Sequence, residues 1–122
     1  MALIRSNLKE ASDAIPANGY IENKINSGTS AFETASGSYT DGTAFTVFSS
    51  TLYGANVIIN VKGKSTLNYS ATDITGCCAI KADGTATMFT GSQTSKDISD
   101  YDYLIIGVAS ASSVTALSIT IS

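Results

Sequence analysis

The segment "KDISDYDYLIIGVAS", residues 96–110, decides how this chain folds. Asp97, Asp100 and Asp102, with Tyr101 and Tyr103, crowd the start of a strongly apolar run. On an extended strand, successive side chains point to opposite faces. Tyr101, Tyr103 and Ile105 then share one face, and Leu104, Ile106 and Val108 share the other. A strand apolar on both faces is not half-solvated, so it belongs at the centre of a sheet covered on both sides. A second sheet supplies one cover. The N-terminal arm or another subunit supplies the other.

Outward from this segment, period two dominates from about residue 31 onward. "AFETASGSYT" and "TAFTVFSS" flank Asp41-Gly42, a pair favoured in two-residue hairpin turns. "CCAIKA" and "TATMFT" flank Asp83-Gly84 in the same way. Val57, Ile59 and Val61 alternate with Ile58 and Asn60; Leu67, Tyr69 and Ala71 alternate; so do Leu117, Ile119 and Ile121. Seven or eight short strands separated by turn signals predict an all-β fold, an antiparallel β-sandwich of jelly-roll type, over residues 29–122. The expected core comprises Val57, Ile59, Val61, Leu67, Ile80, Ile105, Ile106, Leu117 and Ile119.

Residues 1–28 read differently, as a short N-terminal arm or helix. Leu3, Ile4, Leu8, Ala11 and Ile15 recur at helical spacing, and Asn7 with Glu10 fits a capping box. Pro16 and the following "ANG" would stop such a helix. "YIENKINSGTS" reads as a connector or a weak first strand. Leu3, Ile4, Leu8 and Ile15 are the candidate anchor residues of this arm.

Composition narrows the function. At 122 residues the chain fits one domain. Hydrophobic residues make up 43% and charged residues 14%, against about 25% charged in globular chains. Serine and threonine fill much of the difference, so the surface is hydroxyl-rich. A net charge of −3 with scattered basic residues argues against nucleic acid. No run approaches the length of a membrane span. The start "MALIRSNLKEASDA" lacks an apolar h-region, so synthesis without a signal peptide is expected.

The chain contains no histidine and no tryptophan. The usual general base near neutral pH is therefore missing, and Ser-His-Asp and Cys-His catalysis are excluded. Cys77 and Cys78 are neighbours, which suits two thiols on opposite faces of a strand better than a strained ring. They cannot supply a zinc site. No phosphate loop or dinucleotide fingerprint is present. The reading is a protein that is not an enzyme and has no cofactor.

Two residue classes remain as site candidates. Asp97, Asp100 and Asp102 are weak calcium candidates, because calcium takes clustered oxygens. Their spacing is not that of a calcium loop, and solvated turn residues are the plainer reading. A two-carboxylate glycosidase pair does not stand out from the acidic background. Tyr53, Tyr69, Tyr101 and Tyr103 could contact a partner or a glycan, since tyrosine combines an apolar face with a hydroxyl. The plainer reading is that they cap the core. Asn68-Tyr69-Ser70 matches an N-glycosylation pattern and is taken as chance.

"DISDYDYLIIGV" resembles the late strand of jelly-roll domains, where an Asp-Leu-Ser-x-Tyr-Asp-Tyr segment leads into an apolar run. The residues that carry it are Asp97, Ile98, Ser99, Tyr101, Asp102 and Tyr103. Such segments occur in carbohydrate-binding modules and in bacteriophage structural proteins of the fibre and decoration kind. The charge-poor, Ser/Thr/Gly/Ala-rich profile also resembles phage virion accessory proteins. The resemblance implies a capsid decoration or a head-fibre or tail-associated protein, located in the virion after synthesis in the host cytoplasm. It implies major capsid or tail proteins as partners, a homotrimer, and contact with host surface glycans. The alternative is a lectin-like carbohydrate-binding β-sandwich module.

Overall fold

The computed structural model describes residues 14–26, 32–48, 52–70, 74–108 and 116–122. They form ten strands and no helix: β1 (Gly19–Asn26), β2 (Phe32–Ser38), β3 (Phe45–Val47), β4 (Leu52–Asn60), β5 (Thr66–Tyr69), β6 (Ile74–Ile80), β7 (Ala86–Phe89), β8 (Gln93–Asp97), β9 (Tyr103–Val108) and β10 (Leu117–Ile121). The strands build two antiparallel sheets packed as a sandwich. One has six strands in the order β2-β1-β4-β9-β6-β7, and the other has four in the order β3-β10-β5-β8. The chain passes from one sheet to the other at every connection except β1–β2 and β6–β7. This back-and-forth path gives the sandwich its jelly-roll-like character.

The apolar strand sits where its two-faced pattern places it. β9 lies in the middle of the six-stranded sheet, paired with β4 and β6. Leu104 and Ile106 point between the sheets and are fully buried. They meet Val57, Ile59 and Val61 from the β4 side, Cys77 and Ala79 from β6, and Leu67, Leu117, Ile119 and Ile121 from the opposite sheet. Burial of the Val, Leu and Ile side chains among them, each contributing about 1.5–3 kcal/mol, holds the sandwich together.

The expected core is found with two exceptions. Ile80 and Ile105 are half-buried on the outer face of the six-stranded sheet. The strand pleat decides this: Ile105 stands opposite Ile58 and Cys78, while Cys77 and Ala79 take the inward places on β6.

The N-terminal boundary also moves. β1 is hydrogen-bonded to β2 on one side and to β4 on the other, so it is an interior strand. The sandwich therefore begins at Gly19, ahead of residue 29. The polar sequence "GYIENKIN" conceals this strand, because its inward positions carry Tyr20, Glu22 and Lys24. Tyr20 lays its ring over Gly37, where an added Cβ would collide with the aromatic carbons, and stacks on Phe45 at 5.2 Å. The helix expected over the first residues falls on positions 1–13, outside the described residues.

The two Asp-Gly turns part company. Residues 81–85 close a true hairpin between β6 and β7, with Lys81 N donating to Thr85 O and Gly84 at φ 87°. The loop holds three residues, not two: a turn followed by a left-handed glycine, a common three-residue hairpin form. Asp41-Gly42 is a turn as well, with Gly42 at φ 76°, but it joins β2 to β3, which lie in different sheets. It makes a corner of the sandwich. Gly42 N donates to Ile121 O of β10, tying the corner to the four-stranded sheet.

Candidate functional site

The aspartates of the opening segment serve the backbone. Asp97 accepts from Ser99 N at 3.0 Å and Ser99 Oγ at 2.7 Å, a local turn that holds its carboxyl below the usual range. Asp100 is exposed. Asp102 bridges two strands through its main chain, its N–H donating to Ile80 O and its carbonyl accepting from Val61 N. These bonds register β4 and β6 just before β9 slots between them. Among the described residues, no three His, Cys, Asp or Glu side chains gather as a metal-binding group.

The tyrosines do not share a surface. Tyr69 is buried in the core and donates its hydroxyl to Gly91 O at 3.0 Å; burial pushes its pKa up to about 12. Tyr101 is half-buried, edge-on to Phe89 at 5.5 Å. Tyr103 belongs to the outer face of the six-stranded sheet, yet it is only 3% exposed, with Lys62 Nζ 5.0 Å from its ring centroid. Tyr53 lies in β4, and its side chain is outside what is described. Asn68 of the glycosylation pattern is half-buried, its Oδ1 accepting from Ser95 N at 2.8 Å.

Of the anchor residues, Leu3, Ile4 and Leu8 lie outside the described residues. Ile15 is 3% exposed but does not belong to the cluster between the sheets. Its carbonyl accepts from Asn60 Nδ2 at 2.9 Å, and Asn60 points to the outer face, opposite Tyr103. The turn at residues 14–18 therefore lies over one end of that face and buries Asn60. The same asparagine uses Oδ1 to accept from Lys62 N. This turn is part of the second cover that a two-faced β9 requires.

Two buried polar features escaped the sequence reading. Glu22 points inward from β1, and Oε1 accepts from Phe48 N at 2.8 Å. Phe48 is fully buried with φ at 58°, unusual for an aromatic residue, and this bond fixes its backbone where β3 ends. Tyr39 is buried against Phe45 at 5.0 Å and donates to Asn60 O at 2.6 Å. Burial first, and then the nearby Asp41, raise the Tyr39 pKa. Asp41 itself is held low by hydrogen bonds from Lys64 Nζ at 2.7 Å and Asn18 Nδ2 at 2.9 Å. Only a parity count along β1 would have put Glu22 inside.

The surface that stands out is the rest of the outer face. Register places Ile21 beside Ile58, Ile58 beside Ile105, Ile105 beside Cys78, and Cys78 beside Met88. These five side chains form one apolar ridge across five strands. Four are half-buried, and Met88 is 62% exposed. The next row holds Thr34, Asn23 and Asn56, joined by side-chain hydrogen bonds of 3.0 and 3.1 Å, and then Gly107 and Gly76. Phe32, 70% exposed, and Ile25 extend the apolar area at the β2 edge. Glu22, Lys24 and Glu33 of these strands take the opposite parity. No described outward-facing position on the six strands carries a charge.

Comparisons of the chain with protein-family models, with curated proteins and with solved structures found no match.

Proposed function

We propose that this protein is a structural component of a bacteriophage virion, a capsid decoration or a fibre- or tail-associated protein. The observation that carries the reading is the outer face of the six-stranded sheet, whose described outward strand positions carry no charge, a broad packing surface rather than a polar cleft for chemistry. The lead-in segment 97–103 and the charge-poor composition support it by resemblance. In this reading the chain acts by burial. It self-associates and is held to capsid or tail proteins, and Leu3, Ile4 and Leu8 serve as the anchor.

Density-gradient fractionation of phage particles from the source strain tests this reading, with mass spectrometry of each band. The chain should co-sediment with major capsid or tail proteins. A chain lacking residues 1–13 should fold and leave the particle band. Recovery solely in the soluble fraction would sink the proposal. A specific glycan-array signal lost on Tyr101→Ala or Tyr53→Ala would favour the carbohydrate-binding alternative instead.

A further inference from the structure

The chain already lies on one end of the outer face of the six-stranded sheet. Ile15 is 3% exposed there, and its carbonyl accepts from Asn60 Nδ2. Asn60 and Tyr103 are buried at this end, although the second sheet packs against the opposite face. Gly19 opens β1, yet Ile15, four residues earlier, stands at β4. Traced backwards, the chain therefore crosses from β1 over β4 and heads toward β9. One row along from Asn60 and Tyr103, the same strands carry Ile58 and Ile105, and Cys78 and Met88 follow on β6 and β7.

We propose that residues 1–13 continue this path across the outer face and lay their apolar stripe over β9, β6 and β7. Four observations select the chain's own segment as the occupant. The first is continuity, since the segment departs from a residue already seated on the face. The second is spacing. Ile4, Leu8, Ala11 and Ile15 recur every three or four residues. In helical form such steps are about 4.5–6 Å, close to the distance of about 4.8 Å between neighbouring strands. With Ile15 at β4, Ala11 comes over β9, Leu8 over β6 and Ile4 over β7. The small Ala11 then meets the bulky Tyr103, Leu8 meets Cys78, and Ile4 meets Met88.

The third observation is charge. The described outward strand positions carry none, which suits a stripe that carries none. The Lys62 ammonium stands at the seated end, 5.0 Å from the Tyr103 ring centroid. Asp13, two residues before Ile15, comes to that end with the opposite sign. The fourth is the tether. A segment held at the edge of its site has an effective concentration in the millimolar range. A separate chain loses translational and rotational freedom on docking, and the segment does not.

The proposal goes beyond the virion reading and does not rest on it. It describes the free subunit, in which the stripe named there as an anchor is folded onto its own sheet. Docking on a particle then requires the stripe to leave the sheet.

Purified full-length chain tests it through Cys78, the half-exposed thiol in the path of the segment, with the buried Cys77 as a control. With oxidised glutathione, Leu8→Cys should form a disulfide to Cys78 within one chain, located by peptide mass mapping. Glu10→Cys, off the stripe, should couple at least about tenfold more slowly, because the thiolate must reach the sulfur it attacks. Maleimide labelling of Cys78 should speed up by about tenfold or more when residues 1–13 are removed, since a covered site reacts in proportion to its open fraction. Leu8→Asp, which keeps the chain length, should act in the same direction, with Cys77 silent. If the truncated chain unfolds and Cys77 reacts too, the disulfide comparison and Leu8→Asp decide alone.

Equal coupling of Leu8→Cys and Glu10→Cys overturns the proposal. So does a Leu8→Cys disulfide formed only between chains, which hands the face to a second copy. Cys78 labelling indifferent to Leu8→Asp overturns it as well. None of these outcomes bears on co-sedimentation with particles, so the two readings fail separately.

Discussion

The two faces of the six-stranded sheet are made from the same strands and similar side chains, yet they have different fates. On β9, Leu104 and Ile106 are sealed between sheets, while Ile105 stands between them on a face the opposite sheet never reaches. On β6, Cys77 is fully buried, and burial pushes its thiol up to about 12; Cys78, one residue on, is half-exposed and raised by milder burial. Hydrophobicity alone therefore does not define the core here. The sandwich buries one apolar surface between its sheets and leaves a second, ridged one on the outer face of the six-stranded sheet.

The sharpest way to break this contrast is truncation on either side of β9. Leu104→Ala should cost about 2–5 kcal/mol, because it opens a cavity among Val57, Ile59 and Ala79. Ile105→Ala, measured by urea unfolding at dilution, should cost about 1 kcal/mol, since its side chain is already partly in water. Equal costs would mean that the outer face is as much core as the inner one.

The neighbours on β1 repeat the contrast with polar groups. Glu22→Ala should cost about 1–3 kcal/mol, because Phe48 N would be buried without an acceptor. Asn23→Ala, on the outer face, should stay within about 0.5 kcal/mol in the monomer. Denaturant midpoints at constant slope read both. An Asn23 loss as large as the Glu22 loss would remove the distinction between faces.

The smallest expected effect lies at the turns, away from both faces. Asp41, Asp83 and Asp97 are held low, chiefly by Lys64, Thr85 and Ser99 respectively. A carboxyl with a depressed folded-state pKa contributes stability above its unfolded value, about 3.9, and loses it as pH falls through the folded value. The melting temperature should therefore slip below about pH 4. Asp41→Asn should flatten part of that slope, and its effect should add to that of Ile105→Ala. An acid transition unchanged by Asp41→Asn would place the sensitive carboxyl elsewhere.

Much of the fold was legible in the residues. β9 announced itself through "YLIIGV", and the alternation in β4, β5 and β10 placed Val57, Leu67 and Leu117 in a core. β1 was obscure because its inward side chains are a tyrosine, a glutamate and a lysine. The glutamate tolerates burial only because Phe48, 26 residues away, brings an N–H to it. Asp41-Gly42 and Asp83-Gly84 look alike as dipeptides, and each makes a turn with a left-handed glycine. Which one closes a hairpin depends on where the next strand finds a partner. For the candidate site, the tyrosines were visible in the sequence but their separation was not. The ridge was invisible, because its five members come from β1, β4, β9, β6 and β7 and meet through register alone.

By itself, the sequence determined the class of fold, the central strand and most of the inward-facing residues. Local pattern controls those properties, since side chains alternate with period two and turns need particular backbone angles. Tertiary structure alone decided which apolar face meets the second sheet, that Gly19–Asn26 is an interior strand, and that an uncharged ridge crosses the outer surface. Each of these depends on pairing between residues far apart in the chain. A shift of one residue in register would exchange the two faces without changing a single local preference.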